Sequence, residues 1–80
     1  MEFEVLVRLK DEVLDPEGRA IKETFERQGI TGVSRVEVSK RYLITIDKSA
    51  NEASAMIENI AAAYLANPVS QSFEIRSVKP

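Results

Sequence analysis

The apolar residues of this chain switch repeatedly between a period of two and a period of 3.6, and that alternation constrains the fold more than any single motif. Phe3, Val5, Val7 and Leu9 recur at every second position, with Glu2, Glu4, Leu6, Arg8 and Lys10 between them. This is the pattern of a half-buried strand. Asp15-Pro16 then supplies a side-chain N-cap followed by proline in the first helical turn. Ala20, Ile21, Thr24 and Phe25 follow at helical spacing, and Gly29 stands where a left-handed C-cap residue belongs. A first helix is expected from Pro16 to Gln28.

Ile30-Thr31-Gly32 reads as a connector. Two strand patterns follow over Val33–Asp47, with Val36 and Val38 in the first and Tyr42, Ile44 and Ile46 in the second. The stretch is too long for a typical strand, so a tight turn is expected at Ser39-Lys40, although neither residue is Gly or Asn. Ser49-Ala50-Asn51-Glu52 forms a capping box. Behind it Ala53, Met56, Ile57, Ile60, Ala61, Tyr64 and Leu65 make one helical stripe, read here as core with the Tyr64 hydroxyl at its edge. Pro68 forces the helix to stop near Ala66, and Phe73 and Ile75 mark a last strand. The order β-α-β-β-α-β predicts an α+β, two-layer, ferredoxin-like domain: a four-stranded antiparallel sheet covered by two helices. No linker or repeat divides it, so residues 1–80 are expected to form a single domain.

Function is narrowed first by what is missing. Zero Cys removes disulfides, thiolate metal sites and thiol nucleophiles. Zero His removes the commonest general base and metal ligand. Lys and Arg total 11 against 13 Asp and Glu, a net charge of −2 that argues against nucleic acid as a partner. The longest apolar run, Ile60–Ala66, is far short of a membrane span, and the acidic Met1–Glu4 start is unlike a signal peptide. A cytoplasmic, non-membrane chain is expected. A domain this short buries only about 60–65% of its unfolded surface, which favours self-association.

Several side-chain groups invite a functional reading. Asp11, Glu12 and Asp15 bring three carboxylates close together, but their spacing fits no EF-hand, and a solvated loop with an N-cap accounts for them. Gly18, Gly29 and Gly32 match no phosphate-binding fingerprint. Arg35, Lys40, Arg41 and Tyr42 form a basic, aromatic-flanked segment, read as a solvated turn beside a core tyrosine. The outer sheet face is harder to dismiss. If Val5, Val7, Val36, Val38, Tyr42, Ile44, Ile46, Phe73 and Ile75 pack under the helices, Leu6, Leu43, Thr45 and Val78 point the other way. They are the candidate interface residues, since an apolar patch on an open sheet face marks a contact surface.

Two segments also carry a resemblance. Val5-Leu6-Val7-Arg8-Leu9-Lys10 followed by Val13-Leu14-Asp15-Pro16-Glu17-Gly18 resembles the opening of the PurS family, the small subunit of phosphoribosylformylglycinamidine synthase. Leu65-Ala66-Asn67-Pro68-Val69, before a strand ending Phe73-Glu74-Ile75, is similar to that family's C-terminal signature. Leu14, Asp15, Pro16, Gly18, Asn67 and Pro68 carry the match. The chain departs from the family pattern at Ser39, where Gly is usual, and at Ser70-Gln71, where an apolar residue and Glu are usual.

The resemblance implies a non-catalytic bridging subunit in purine biosynthesis. Such a subunit self-associates as a homodimer or higher oligomer. It joins a PurL-type synthetase to a PurQ-type glutaminase in the glutamine- and ATP-dependent conversion of formylglycinamide ribonucleotide to formylglycinamidine ribonucleotide. It also implies no cofactor on this chain, with ATP and Mg used by the synthetase. No catalytic, cofactor or metal residue carries over. The alternative reading is a ferredoxin-like regulatory module that binds a small ligand.

Overall fold

The computed structural model describes residues 1–78. The elements are β1 (Glu2–Leu9), α1 (Pro16–Arg27), β2 (Lys40–Thr45), α2 (Ala50–Ile60), a π-helical turn over Ala61–Leu65, and β3 (Gln71–Val78). The strands form one antiparallel three-stranded sheet in the order β2-β1-β3. The period-two segment at the N-terminus is the central strand, as its near-continuous apolar face requires. Phe3, Val5 and Val7 are buried on that face, where Ile46, Ala53 and Ile57 of α2, and Ala61 of the π turn meet them. Tyr42, Ile44, Phe73 and Ile75 complete the layer from the flanking strands.

The caps work as their sequences imply. Asp15 Oδ1 accepts the Gly18 N–H at 2.9 Å and opens α1. The helix closes with Gly29 at φ 77°, the Gly29 N–H on Glu26 O and the Ile30 N–H on Phe25 O. That pairing is the Schellman pattern, which only a residue tolerant of positive φ completes cheaply. Ser49 Oγ accepts the Glu52 N–H at 3.3 Å and opens α2.

Three expectations are corrected. The sheet has three strands among the described residues, not four, because Val36 and Val38 lie in an irregular connector. No hairpin forms at Ser39-Lys40; the chain runs from the connector straight into β2. With no Gly or Asn, this dipeptide lacks the positive-φ residues that a two-residue turn demands. The two helices do not share the sheet equally: α2 supplies Ala53 and Ile57 to the core, while Gly18 is the one buried residue of α1. The molecule therefore extends over 52 × 28 × 14 Å with a radius of gyration of 16.3 Å, against about 12 Å for a compact chain of this length.

A further correction concerns the second helical stripe. Met56 is exposed, and Tyr64 is 79% exposed rather than packed in the core. The π turn, closed by Ala66 N–H on Ala61 O, spans one residue more than an α turn. That residue advances the phase by about 100°, so Leu65 faces inward and Tyr64 is turned into solvent.

Candidate assembly surfaces

The family-like motifs fold into two hydrogen-bonded corners. At the first, Asp15 serves two masters: Oδ1 caps α1, while Oδ2 accepts the Val38 N–H at 3.0 Å from the connector. The carboxylate thus clamps the start of α1 to the segment entering β2, closing the base of an arm made of α1 and the connector. Gly18 is buried in the same corner, where a Cβ would stand 2.2 Å from Val36 O. Its φ is not positive, so what it supplies is space. Pro16 occupies the first turn as expected, and Leu14 is exposed on the rim of two open clefts.

Because two backbone N–H groups, first Gly18 and then Val38, donate to the ionised form, the Asp15 carboxyl is held below its ordinary value. A depressed carboxyl contributes stability that is fully present above the unfolded value and fades as pH falls through the folded one. Asp15→Asn is expected to lower the chemical denaturation midpoint at neutral pH and to narrow the gap to wild type in acid. Denaturant titrations at two pH values check this; equal midpoints at neutral pH would contradict the clamp.

The second corner joins α2 to β3. Asn67 Oδ1 accepts the Val69 N–H at 3.0 Å, Asn67 O accepts the Gln71 N–H at 2.7 Å, and Gln71 Oε1 accepts the Asn67 N–H at 2.7 Å. Lys10 straps this turn to the end of β1, its Nζ donating to Pro68 O at 2.8 Å and its N–H to Ser70 O at 2.9 Å. The turn owes its shape to these bonds, and Gln71, where the family pattern differs, supplies one of them.

The candidate interface residues separate once strand order is known. Cross-strand rows on the outer face read Thr45–Glu2–Val78, Leu43–Glu4–Arg76 and Arg41–Leu6–Glu74. Leu6 and Leu43 are diagonal neighbours, Leu6 half-buried and Leu43 51% exposed. Val78 sits at the far end of the sheet, apart from them. Thr45 is exposed, its hydroxyl 3.5 Å from Glu2. The face is a leucine pair set among charges, including the Arg41–Glu4 ion pair.

The remaining charged candidates are spent locally. Glu37 accepts from Arg8 at 2.9 Å and from Arg35 at 2.8 Å, while Arg41 is held by Glu4. Lys40 faces Val7 across the β1–β2 ladder. Asp11 lies 3.7 Å from Arg8 rather than beside Asp15's oxygens, and no group of three acidic side chains converges among the described residues. Sequence reasoning missed the packing role of Gly18. The available signal was a glycine inside the first turns of a helix, a position that costs stability unless something packs closely against it.

A small α+β fold with two rigid corners, a projecting helix and an open sheet face defines an interaction module. The family model for PurS, phosphoribosylformylglycinamidine (FGAM) synthase, matches residues 2–79. The chain belongs to the PurS family, the PurS subunit of FGAM synthase in purine biosynthesis. It is 38% identical over 71 residues to the PurS subunit of Mycobacterium leprae, covering 89% of this chain and 87% of that protein. The crystal structure of Methanocaldococcus jannaschii PurS, one of the subunits of formylglycinamide ribonucleotide amidotransferase, superposes with a TM-score of 0.82 at 31% identity, covering 94% and 92% of the two chains. A chain of the PurLQS structure from Thermotoga maritima shares the fold at 22% identity and a TM-score of 0.72, over 96% and 95%.

Proposed function

We propose that this chain is the assembly subunit of phosphoribosylformylglycinamidine synthase. Self-associated, it docks a PurL-type synthetase to a PurQ-type glutaminase in one geometry. The complex converts formylglycinamide ribonucleotide, glutamine and ATP into formylglycinamidine ribonucleotide, glutamate, ADP and phosphate. Ammonia released at one active site must reach the other before it is protonated or escapes, and a fixed junction between the subunits meets that need. ATP and Mg belong to the synthetase in this reading; the chain itself holds no cofactor. It works in the cytoplasm.

The observation that carries the reading is the extended shape. α1 projects with Ile21 exposed and Phe25 half-buried, and the connector Thr31–Ser39 makes no backbone–backbone hydrogen bond among the described residues. Among the described residues both outer strands also present open edges. Unpaired strand edges and exposed apolar side chains are features that a partner covers. The fold shared with a chain of Thermotoga maritima PurLQS supports the same setting.

The isolated chain is expected to hydrolyse neither glutamine nor ATP, and a pull-down with glutamine and nucleotide present is expected to retain both synthetase and glutaminase. ADP formation that follows this chain and is lost when one of its carboxylates is mutated would overturn the reading. So would a pull-down that retains neither partner.

A further inference from the structure

The sheet is incomplete in two places, and the chain carries an unused element that suits each. Among the described residues the outer edge of β2 is unpaired. The core face above β2 is also thinly covered: Tyr42 and Ile44 are half-buried, where Phe3, Val5 and Val7 of β1 are buried. The connector that leads into β2 has the strand pattern of Val36 and Val38 but no strand to join. α1 carries Ile21 and Phe25 at helical spacing, yet Gly18 is its one buried residue. A strand and a helix are what the open edge and the open face lack.

Within one copy these parts do not meet. The connector runs straight into β2, and Ser39-Lys40 lacks the Gly or Asn that would reverse it. Asp15 Oδ2 on the Val38 N–H and Arg8 on Glu37 hold the arm outstretched, and the molecule is 52 Å long as a result. A second copy offers the same edge and the same face, so a reciprocal exchange about one two-fold axis closes both gaps.

Side-chain phase and charge set the register of that exchange. Tyr42 and Ile44 point to the core, so an antiparallel connector must bring Val36 and Val38 to the same face. Setting Val36 opposite the partner's Tyr42 does so. It also places Glu37 opposite the partner's Arg41, with Ser39 on the axis. A shift of two residues one way sets Arg35 against the partner's Arg41. The opposite shift sets Lys40 against the partner's Lys40, and like charges directly opposite destabilise a sheet.

We propose that two copies of this chain exchange their α1–connector arms. Residues 33–39 of each copy extend the other's sheet beside β2, and α1 covers the other's core face next to α2. Each sheet thereby reaches four strands under two helices. The exchange rests on the self-association in the assembly reading and names the segment that performs it. The outer faces, with Leu6 and Leu43, stay free to join such pairs.

The chain has no Cys, so Glu37→Cys combined with Arg41→Cys tests the exchange in the full chain. Within one copy the two positions are about 13 Å apart along extended backbone, beyond the reach of a disulfide. Oxidation of the double variant is expected to give a covalent dimer on a non-reducing gel, while each single variant stays uncrosslinked. Inserting Asn-Gly between Ser39 and Lys40 supplies a three-residue turn with Gly at its left-handed position and keeps Val36 in phase with Tyr42. Each arm can then fold back on its own sheet, so the mass by light scattering is expected to halve with helix content unchanged. A self-associated double variant that forms no covalent dimer overturns the exchange. So do single variants that cross-link as readily as the double, an insertion variant of wild-type mass, or a monomeric wild type. In each of these cases a pull-down that retains synthetase and glutaminase leaves the assembly reading standing. Exchange found together with a pull-down that retains neither subunit overturns the assembly reading alone.

Discussion

Gly18→Ala is expected to destabilise the chain by about 3 kcal/mol, although the same change in an exposed helix ordinarily stabilises by about 0.8–1 kcal/mol. Helix propensity and tertiary packing predict opposite signs here, and the geometry decides between them. The new methyl would stand 2.2 Å from Val36 O and 2.8 Å from Asp15 Oδ2. Neither neighbour is a free side-chain end: one is backbone, and the other is held by the Gly18 and Val38 N–H groups. Relieving the clash means moving the connector away from α1 and breaking the Asp15 clamp. A chain of this size has a total stability of about 4–12 kcal/mol, so the loss is large enough to shift the unfolding midpoint plainly. Chemical denaturation of the two proteins checks it, and a midpoint at or above wild type would mean that the corner yields without cost.

Leu43→Glu is expected to convert the self-associated protein to a smaller folded species. Leu43 is 51% exposed on the outer face, diagonal to Leu6. Covering the remainder of such a side chain contributes about 1 kcal/mol per copy, and a carboxylate forced into a dry contact reverses that and adds desolvation. Glu4 lies directly opposite in the β1–β2 ladder, so the new carboxylate also weakens strand pairing within each copy. Leu43→Lys separates the two effects. It places a cation opposite Glu4, preserving the ladder, yet still puts charge in the contact. Light scattering after size exclusion is expected to show reduced mass for both variants, with the lysine protein unfolding close to wild type. Wild-type mass in both would move self-association to the α1 arm or the strand edges.

What the sequence discloses here follows from the range of the forces involved. Alternation over Phe3–Leu9, the Asp15-Pro16 start, the Gly29 stop and the Ser49–Glu52 cap are decided within a few residues of themselves, and each forms where its local chemistry requires. The errors lie where a distant partner decides. Val36 and Val38 alternate as strand residues do, but a strand needs a partner, and the connector that carries them pairs with no strand edge among the described residues. The stripe through Tyr64 assumed an unbroken 3.6 period; a single π turn shifted its phase. The candidate interface residues were found by face but not by adjacency, since only the order β2-β1-β3 sets Leu6 diagonal to Leu43 and leaves Val78 apart. Asp15 was legible as a cap. Its second bond, to a connector that arrives 23 residues later, was not.

In the proposed function this chain contributes geometry rather than chemistry to FGAM synthesis. Glutamine-dependent ADP formation by the synthetase and glutaminase subunits, titrated with this chain, tests it most directly. The account predicts no turnover from the chain alone, and a rate that rises with added chain and saturates at a fixed stoichiometry, in step with a species containing all three proteins. A rate that is the same with and without the chain would contradict it.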